Sequence, residues 1–268
     1  KKSAAQLAGR HIVDLIRRGV TFSRIATPVA FENAIRVNAA LGGGTNTTVH
    51  LLALAGRLGL DITIDDIEAH SRAVPLMANI MPNGEFLMED FFNAGGLPAL
   101  MMAMGDLLRT DLPTVSGRTL GEDIAEAEIF DSRVITTPDA PFKTEPSLAV
   151  LKGNLAPSGA IIKATAASPH LLRHRGPAVV FESIEDMDAR VDSPDLDITA
   201  DSVLVLKNIG PKSYPGAPEL GNIKVPKKLL DQGILDVLRI SDGRMSGTAF
   251  GTVVLQVVPE TAIRGPIA

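Results

Sequence analysis

The hydrophobic pattern of this chain changes period part of the way along, and that change limits the architectures open to it. Up to about residue 130 the apolar residues recur at helical spacing; beyond it they fall in short runs of four to seven residues separated by turn residues. Helices are predicted over 4–18, where Leu7, Ile12, Leu15 and Ile16 share a face, and over 29–41, where Pro28 favours the start and Gly42 the stop. A third follows a glycine-rich turn and runs on from Val49. Thr63 to Asp66 has the form of a capping box for a short helix that Pro75 stops, and Thr119 to Glu122 opens another that reaches about residue 127. Helices over 85–93 and 98–108 lie between, split by Gly95-Gly96, with a turn at Pro82-Asn83-Gly84 before them. Met101, Met102 and Met104 read as core filling. Residues 131–146 contain three prolines and little periodicity, and read as a linker. Strands are predicted over 148–151, 160–165, 178–182, 203–206, 237–240 and 252–258, with short helices at 183–190 and 226–232. The natural division is a helix-rich domain over 1–130 and a β-rich one over 147–268. No internal repeat interrupts this pattern.

Composition removes several functional classes. The 268 residues carry a formal net charge of -5 and no long basic run, which argues against a nucleic-acid partner. One Tyr and no Trp leave few platforms for stacking bases. No apolar run approaches the roughly 18 residues of a membrane span, and no apolar segment of a signal peptide follows Lys1-Lys2-Ser3-Ala4. A cytoplasmic protein without membrane contact is expected. With no Cys, these residues can form no disulfide, no thiolate zinc site and no cysteine-held iron-sulfur cluster.

Three polar, glycine-rich places stand out. Gly42-Gly43-Gly44-Thr45-Asn46 feeds a helix N-terminus, whose free backbone N–H groups can hold an anion; Thr45 or Asn46 can equally cap that helix. Residues 210–219 form a rigid loop that ends in the carboxylate of Glu219. Residues 239–252 lie between apolar runs at 234–238 and 252–258. Gly243 and Gly247 there permit tight turning, and Ser246 and Thr248 are presented at a strand end. That loop is either an active-site loop with a hydroxyl base or nucleophile, or a plain Gly/Ser turn. A magnesium ion would want carboxylate oxygens, and Glu219 or Asp242 could serve; each could also be a surface charge. The five His show no metal-ligand spacing, and His50, among apolar helix residues, reads as a hydrogen-bonded core histidine. The residues alone reach a two-domain protein with a small-molecule site.

The same places resemble one family, the dihydroxy-acid and sugar-acid dehydratases, which include 6-phosphogluconate dehydratase. Residues 41–46 resemble its L-G-G-S-T-N, 151–159 its L-x-G-N-L-A-P-x-G, 210–219 its G-P-x-G-x-P-G-M-P-E, and 241–251 its S-D-x-R-x-S-G-T-x-x-G. The motifs occur in order over nearly the whole chain. Residues 246–251 and Gly210-Pro211-Lys212 are closer to the sugar-acid (pentonate or hexonate) branch than to the branched-chain amino-acid branch.

The resemblance implies an α/β fold: the helix-rich remainder of an α/β/α first domain, then a β-barrel-like second domain, with the site between them. It implies a hydro-lyase that converts a 2,3-dihydroxy sugar acid to a 2-keto-3-deoxy acid. Ser246 would be the base, with Thr248 beside it; Glu219 would bind Mg2+, and Thr45 and Asn46 would face the substrate. It also implies a 2Fe-2S iron-sulfur cluster as Lewis acid, with ligands outside these residues, and a homodimer or homotetramer. Three positions depart from the motifs: Gly44 for Ser, Ser213 for Gly and Ala217 for Met. The missing cysteines, and a family chain that extends beyond both ends, suggest an internal piece of a longer protein. The alternatives are a dihydroxy-acid dehydratase of branched-chain amino-acid synthesis and a non-catalytic, cluster-free fragment.

Overall fold

The computed structural model describes residues 2–219, 223–246 and 250–268. Its first part is helical: α1 (Lys2–Arg17), α2 (Phe22–Ile25), α3 (Pro28–Leu41), α4 (Asn46–Leu58), α5 (Ile64–Arg72), α6 (Met88–Asn93), α7 (Gly96–Met104) and α8 (Leu120–Ile124). Local chemistry sets most of these ends. Thr27 caps α3 by accepting the Ala30 N–H at 3.3 Å. Gly42 closes it at φ 67°, a left-handed conformation that glycine adopts without steric cost. The capping box of α5 forms as expected: Thr63 Oγ1 accepts from Asp66 N, and Asp66 Oδ2 accepts from Thr63 N at 2.7 Å. The Thr63 backbone and hydroxyl donors hold the Asp66 carboxyl below its usual range. The Thr119–Glu122 box also forms, but α8 ends at Ile124, short of residue 127. Helix α6 starts only at Met88, because Phe86 is drawn into a bridge with Ile80.

Ala39, Met77, Ala99, Leu100, Met104 and Ile135 are fully buried in the first core. Met104 fills that core and Met101 packs on it, whereas Met102 is exposed. Residues 131–146 pack against the same core: Val134 and Ile135 are buried, and single bridges join Ala78 to Ile135 and Leu76 to Lys143. Isolated bridges need no alternation of side chains, so this segment carries no periodicity. Helix α1 forms where expected, with Leu7, Ile12 and Ile16 exposed.

The second part contains β1 (Ala149–Gly153), β2 (Ala156–Ile162), β3 (Ala178–Phe181), β4 (Val203–Leu206), β5 (Arg239–Ser241) and β6 (Val253–Val258), with α9 (Ile184–Arg190) and α10 (Lys227–Leu230) between strands. They form one sheet in the order β1-β2-β6-β5-β4-β3. Strands β3 to β6 are parallel, and β2 and β1 add antiparallel. Burial alternates along the parallel strands: Val179, Phe181, Leu204 and Leu206 are buried, whereas Val180 on the other face of edge strand β3 is exposed. The α/β class expected from the sequence is therefore what forms. The second half is an open mixed sheet with β1 and β3 at its edges, and no closed barrel is present among the described residues. No helix among the described residues is long and apolar enough to cross a membrane.

Two features of this arrangement position the site. Parallel strands share a direction, so the segments that follow β4 and β5 leave from the same end of the sheet, where open α/β sheets bind ligands. Polar ties then bring the helical part alongside. Ser147 Oγ donates to Ala39 O at 2.8 Å, Val150 N to Glu68 Oε2 at 2.6 Å, and Thr165 Oγ1 to Asn83 Oδ1 at 2.7 Å. Asn83 Nδ2 in turn donates to Gly42 O at 2.9 Å, which fixes the glycine-rich turn beside the strands.

Candidate active site

The three glycine-rich places, 199 residues apart at their furthest paired members, meet at the N-terminus of α4. Asn46 Nδ2 donates to the Met245 carbonyl at 2.9 Å and also to Glu219 Oε1. Both partners are acceptors, so they orient the Asn46 amide and turn its Oδ1 away. That oxygen is buried and has no hydrogen-bond partner. Ser246, the next residue after Met245, is half-buried on the same loop. Thr45 is buried one residue before Asn46, and its side chain makes no capping bond. Capping, one of the two roles open to Thr45 and Asn46, is thus not the role their side chains take. Thr248 lies outside the described residues.

The loops are held by buried carboxylates: Asp242, which the sequence offered as a metal ligand or surface charge, and Glu260 and Asp236, which it did not single out. Asp242 is 2% exposed and uses both oxygens, accepting Ile209 N at 3.0 Å and Thr261 N at 2.9 Å. It is neither a surface charge nor a ready metal ligand, because both oxygens are committed to backbone amides. Glu260 accepts Lys212 N at 2.8 Å and so fixes the start of the 210–219 loop. Gly243 is needed for close approach, since a Cβ there would collide with the Ile209 side chain. Behind the loops, Asp236 and Arg239 form a buried ion pair at 2.9 Å. Arg239 also donates to the Ile223 carbonyl at 3.1 Å and the Phe250 carbonyl at 2.8 Å. Burial lowers the Arg239 pKa, and the adjacent carboxylate opposes that effect. The legible signal for these residues was charge or amide beside an apolar run: Asp236 and Arg239 at 234–238, Gln256 within 252–258.

His50 corrects its expected role. It is exposed, and its Nε2 faces Arg244 Nη1 at 3.1 Å. The buried residues of α4 are Thr48 and Ala55, so His50 falls on another face. Arg244 has a buried Nε without a partner. It borders a cavity of about 120 Å³ lined in part by Val49, Ala217, Gly243, Gln256 and Glu260.

Two groups implied by the resemblance meet different donor sets. Glu219 offers an exposed carboxylate, a hard donor that suits magnesium, which takes few protein ligands and completes its shell with water and substrate. Among the described residues no cluster of three or more His, Asp or Glu could hold a metal ion alone. An iron-sulfur cluster does not fit this chain, which has no Cys.

Residues 1–123 match the family model described as dihydroxy-acid/6-phosphogluconate dehydratase N-terminal, and residues 133–268 match the corresponding C-terminal model. The chain is 50% identical over 270 residues to an L-arabinonate dehydratase of Rhizobium leguminosarum bv. trifolii (strain WSM2304), covering 100% of this chain and 47% of that protein. It is 43% identical to a 6-deoxy-6-sulfo-D-gluconate dehydratase of Pseudomonas putida, covering 98% and 46%. It is 41% identical to a dihydroxy-acid dehydratase of Caldicellulosiruptor saccharolyticus, covering 98% and 48%. The chain therefore spans about half the length of these relatives.

Proposed function

Since the chain belongs to the dihydroxy-acid/6-phosphogluconate dehydratase family, we propose that the polypeptide carrying it dehydrates a 2,3-dihydroxy sugar acid, a five-carbon aldonate such as L-arabinonate, to the 2-keto-3-deoxy acid. The observation that carries this reading is the meeting of Asn46, Glu219 and the Met245–Ser246 backbone at one place. The choice of a sugar acid follows the names of the relatives at 50% and 43% identity. The relative at 41% identity supports a second reading, the same chemistry on a branched-chain dihydroxy acid.

In this reading Glu219 holds magnesium, water and substrate complete its shell, and Asn46 faces the substrate. When bound, the metal supplies positive charge beside the substrate carboxylate and C2 hydroxyl, where negative charge develops. Ser246 Oγ takes the C2 proton, and the electron pair of the broken C2–H bond moves toward the carboxylate. That pair returns to form the C2–C3 double bond as the C3–O bond breaks; the departing hydroxide takes up the proton that Ser246 Oγ received and leaves as water, which restores the ionised serine, and the C2–C3 enol tautomerises to the ketone. A neutral hydroxyl is too weak a base for this, so Ser246 needs nearby positive charge to favour its ionised form. The Arg244 guanidinium, two residues earlier on the loop, contributes to that field. Thr45 lines the site. No step runs through an iron-sulfur cluster.

The test is 2-keto acid formation by the intact polypeptide, supplied with magnesium and offered pentonates, hexonates and 2,3-dihydroxy-isovalerate. Preferential pentonate turnover is expected, and Ser246→Ala should abolish it with an unchanged circular dichroism spectrum. Product from none of the sugar acids would sink the sugar-acid reading. A wild-type rate in Ser246→Ala would remove Ser246 from the chemistry.

A further inference from the structure

One residue of the central sheet has a backbone conformation foreign to a strand. Gln256, within β6, sits at φ 57°, in the left-handed region that residues with a Cβ rarely enter. The register explains where it falls. Gly159 pairs with Val258 and Ile161 with Leu255, so β6 uses one more residue than β2 over the same stretch. A bulge of this kind turns a side chain out of the regular pleat, and strained residues persist only where their surroundings over-determine them.

What surrounds Gln256 is the candidate site. Its backbone N–H donates to Gly243 O at 3.0 Å. Its Nε2 donates to Thr45 O at 3.3 Å. Gly243 lies three residues before Ser246 on the loop after β5, and Thr45 immediately precedes Asn46. The Asn46 bond to Met245 O, at 2.9 Å, closes a ring that runs from the sheet through the loop to α4 and back.

We propose that Gln256 is a positioning residue: its amide side chain anchors the start of α4 to the sheet while its backbone anchors the 242–246 loop, so that Asn46, Glu219 and Ser246 keep one mutual arrangement. The consequence for turnover rests on the function proposed above; the tie itself does not. Gln256 acts through Thr45 and Gly243 and is not assigned contact with the reacting atoms.

The variant Gln256→Gly separates this role from general stability. Glycine adopts positive φ freely and keeps the N–H bond to Gly243, but it loses the bond to Thr45. In the intact polypeptide the melting temperature should stay level or rise. Amide exchange in the first turn of α4 should quicken about fivefold, the effect of one lost neutral hydrogen bond. The kcat for the sugar acid should fall about tenfold with KM within about twofold, as expected when reacting groups lose alignment. Gln256→Glu, which keeps the shape but replaces the donor by an acceptor, should lower kcat similarly. Unchanged exchange in α4 overturns the tie. A kcat loss that merely tracks a fall in melting temperature overturns the positioning role. If the wild type dehydrates no sugar acid, the functional reading fails and the exchange measurement alone still decides the tie.

Discussion

Replacing Asp236 by asparagine asks whether the buried ion pair behind the loops holds them in place. Asp236 is 8% exposed and Arg239 4%. The carboxylate accepts from Ser168 Oγ at 2.7 Å, from Thr252 N at 2.9 Å, from Thr252 Oγ1 at 2.8 Å and from Arg239 Nη2 at 2.9 Å. The Thr252 N–H reaches both carboxylate oxygens and can only donate, so the NH2 of an asparagine would face a donor in either orientation, and the guanidinium would lose its counter-charge. Breaking a buried pair from one side costs about 3–5 kcal/mol. The carbonyls of Ile223, Val237 and Phe250 still receive the Arg239 N–H groups, which places the expected loss near the lower end, about 3 kcal/mol. Urea unfolding followed by far-ultraviolet circular dichroism measures it. A loss below about 1 kcal/mol would refute the argument, since that is the worth of an exposed pair. The pH dependence is a second check. Burial alone would raise the Asp236 carboxyl, but hydrogen bonds from Ser168 and Thr252 and the Arg239 charge outweigh it and leave the pKa below 3.8. A depressed folded pKa gives stabilisation that is complete above the unfolded value and is lost as pH falls through the folded one. The advantage of wild type over Asp236→Asn should therefore be level near neutral pH and shrink below 3.8.

Two further perturbations test the core and a buried cation, beside the Ser246 and Gln256 variants above. Burial pushes the Lys163 ammonium down from 10.5 to about 8. The folded state then binds fewer protons than the unfolded chain between those values, so stability should rise with pH across that window, by roughly 3 kcal/mol in all. Lys163→Met should abolish that slope in unfolding midpoints measured at successive pH values; a slope that survives would assign it to another group. Phe181, fully buried at the end of β3 in an apolar cluster with Met187, Leu204 and Leu206, should cost about 3–5 kcal/mol when replaced by alanine, measured by the same urea unfolding. A cost under about 1 kcal/mol would contradict its place there.

Much of the fold was legible because much of it is local. Thr63–Asp66, Thr119–Glu122 and the Pro28–Gly42 span mark helix ends through bonds a few residues long, and those bonds form wherever the rest of the chain goes. The apolar runs at 178–182, 203–206 and 252–258 became strands for a similar reason. Boundaries slipped where a distant partner intervened, as at Phe86, which bridges to Ile80 and delays α6. The three polar loops were visible as candidates, but nothing local distinguished a catalytic loop from a turn.

The sequence by itself determined the kinds of element, their caps, the absence of thiolate ligands and the motifs that place the chain in its family. Only the tertiary structure decided that β6 lies between β2 and β5, and that β4 and β5 point the same way. It alone put His50 on the surface against Arg244, committed Asp242 to backbone amides, and bent β6 at Gln256 to reach Thr45. Caps and periodicity are properties of neighbours along the chain, whereas strand order and register come from burying side chains that lie far apart in it. The candidate site depends on the second kind of information, because its members meet only once the sheet has chosen its order.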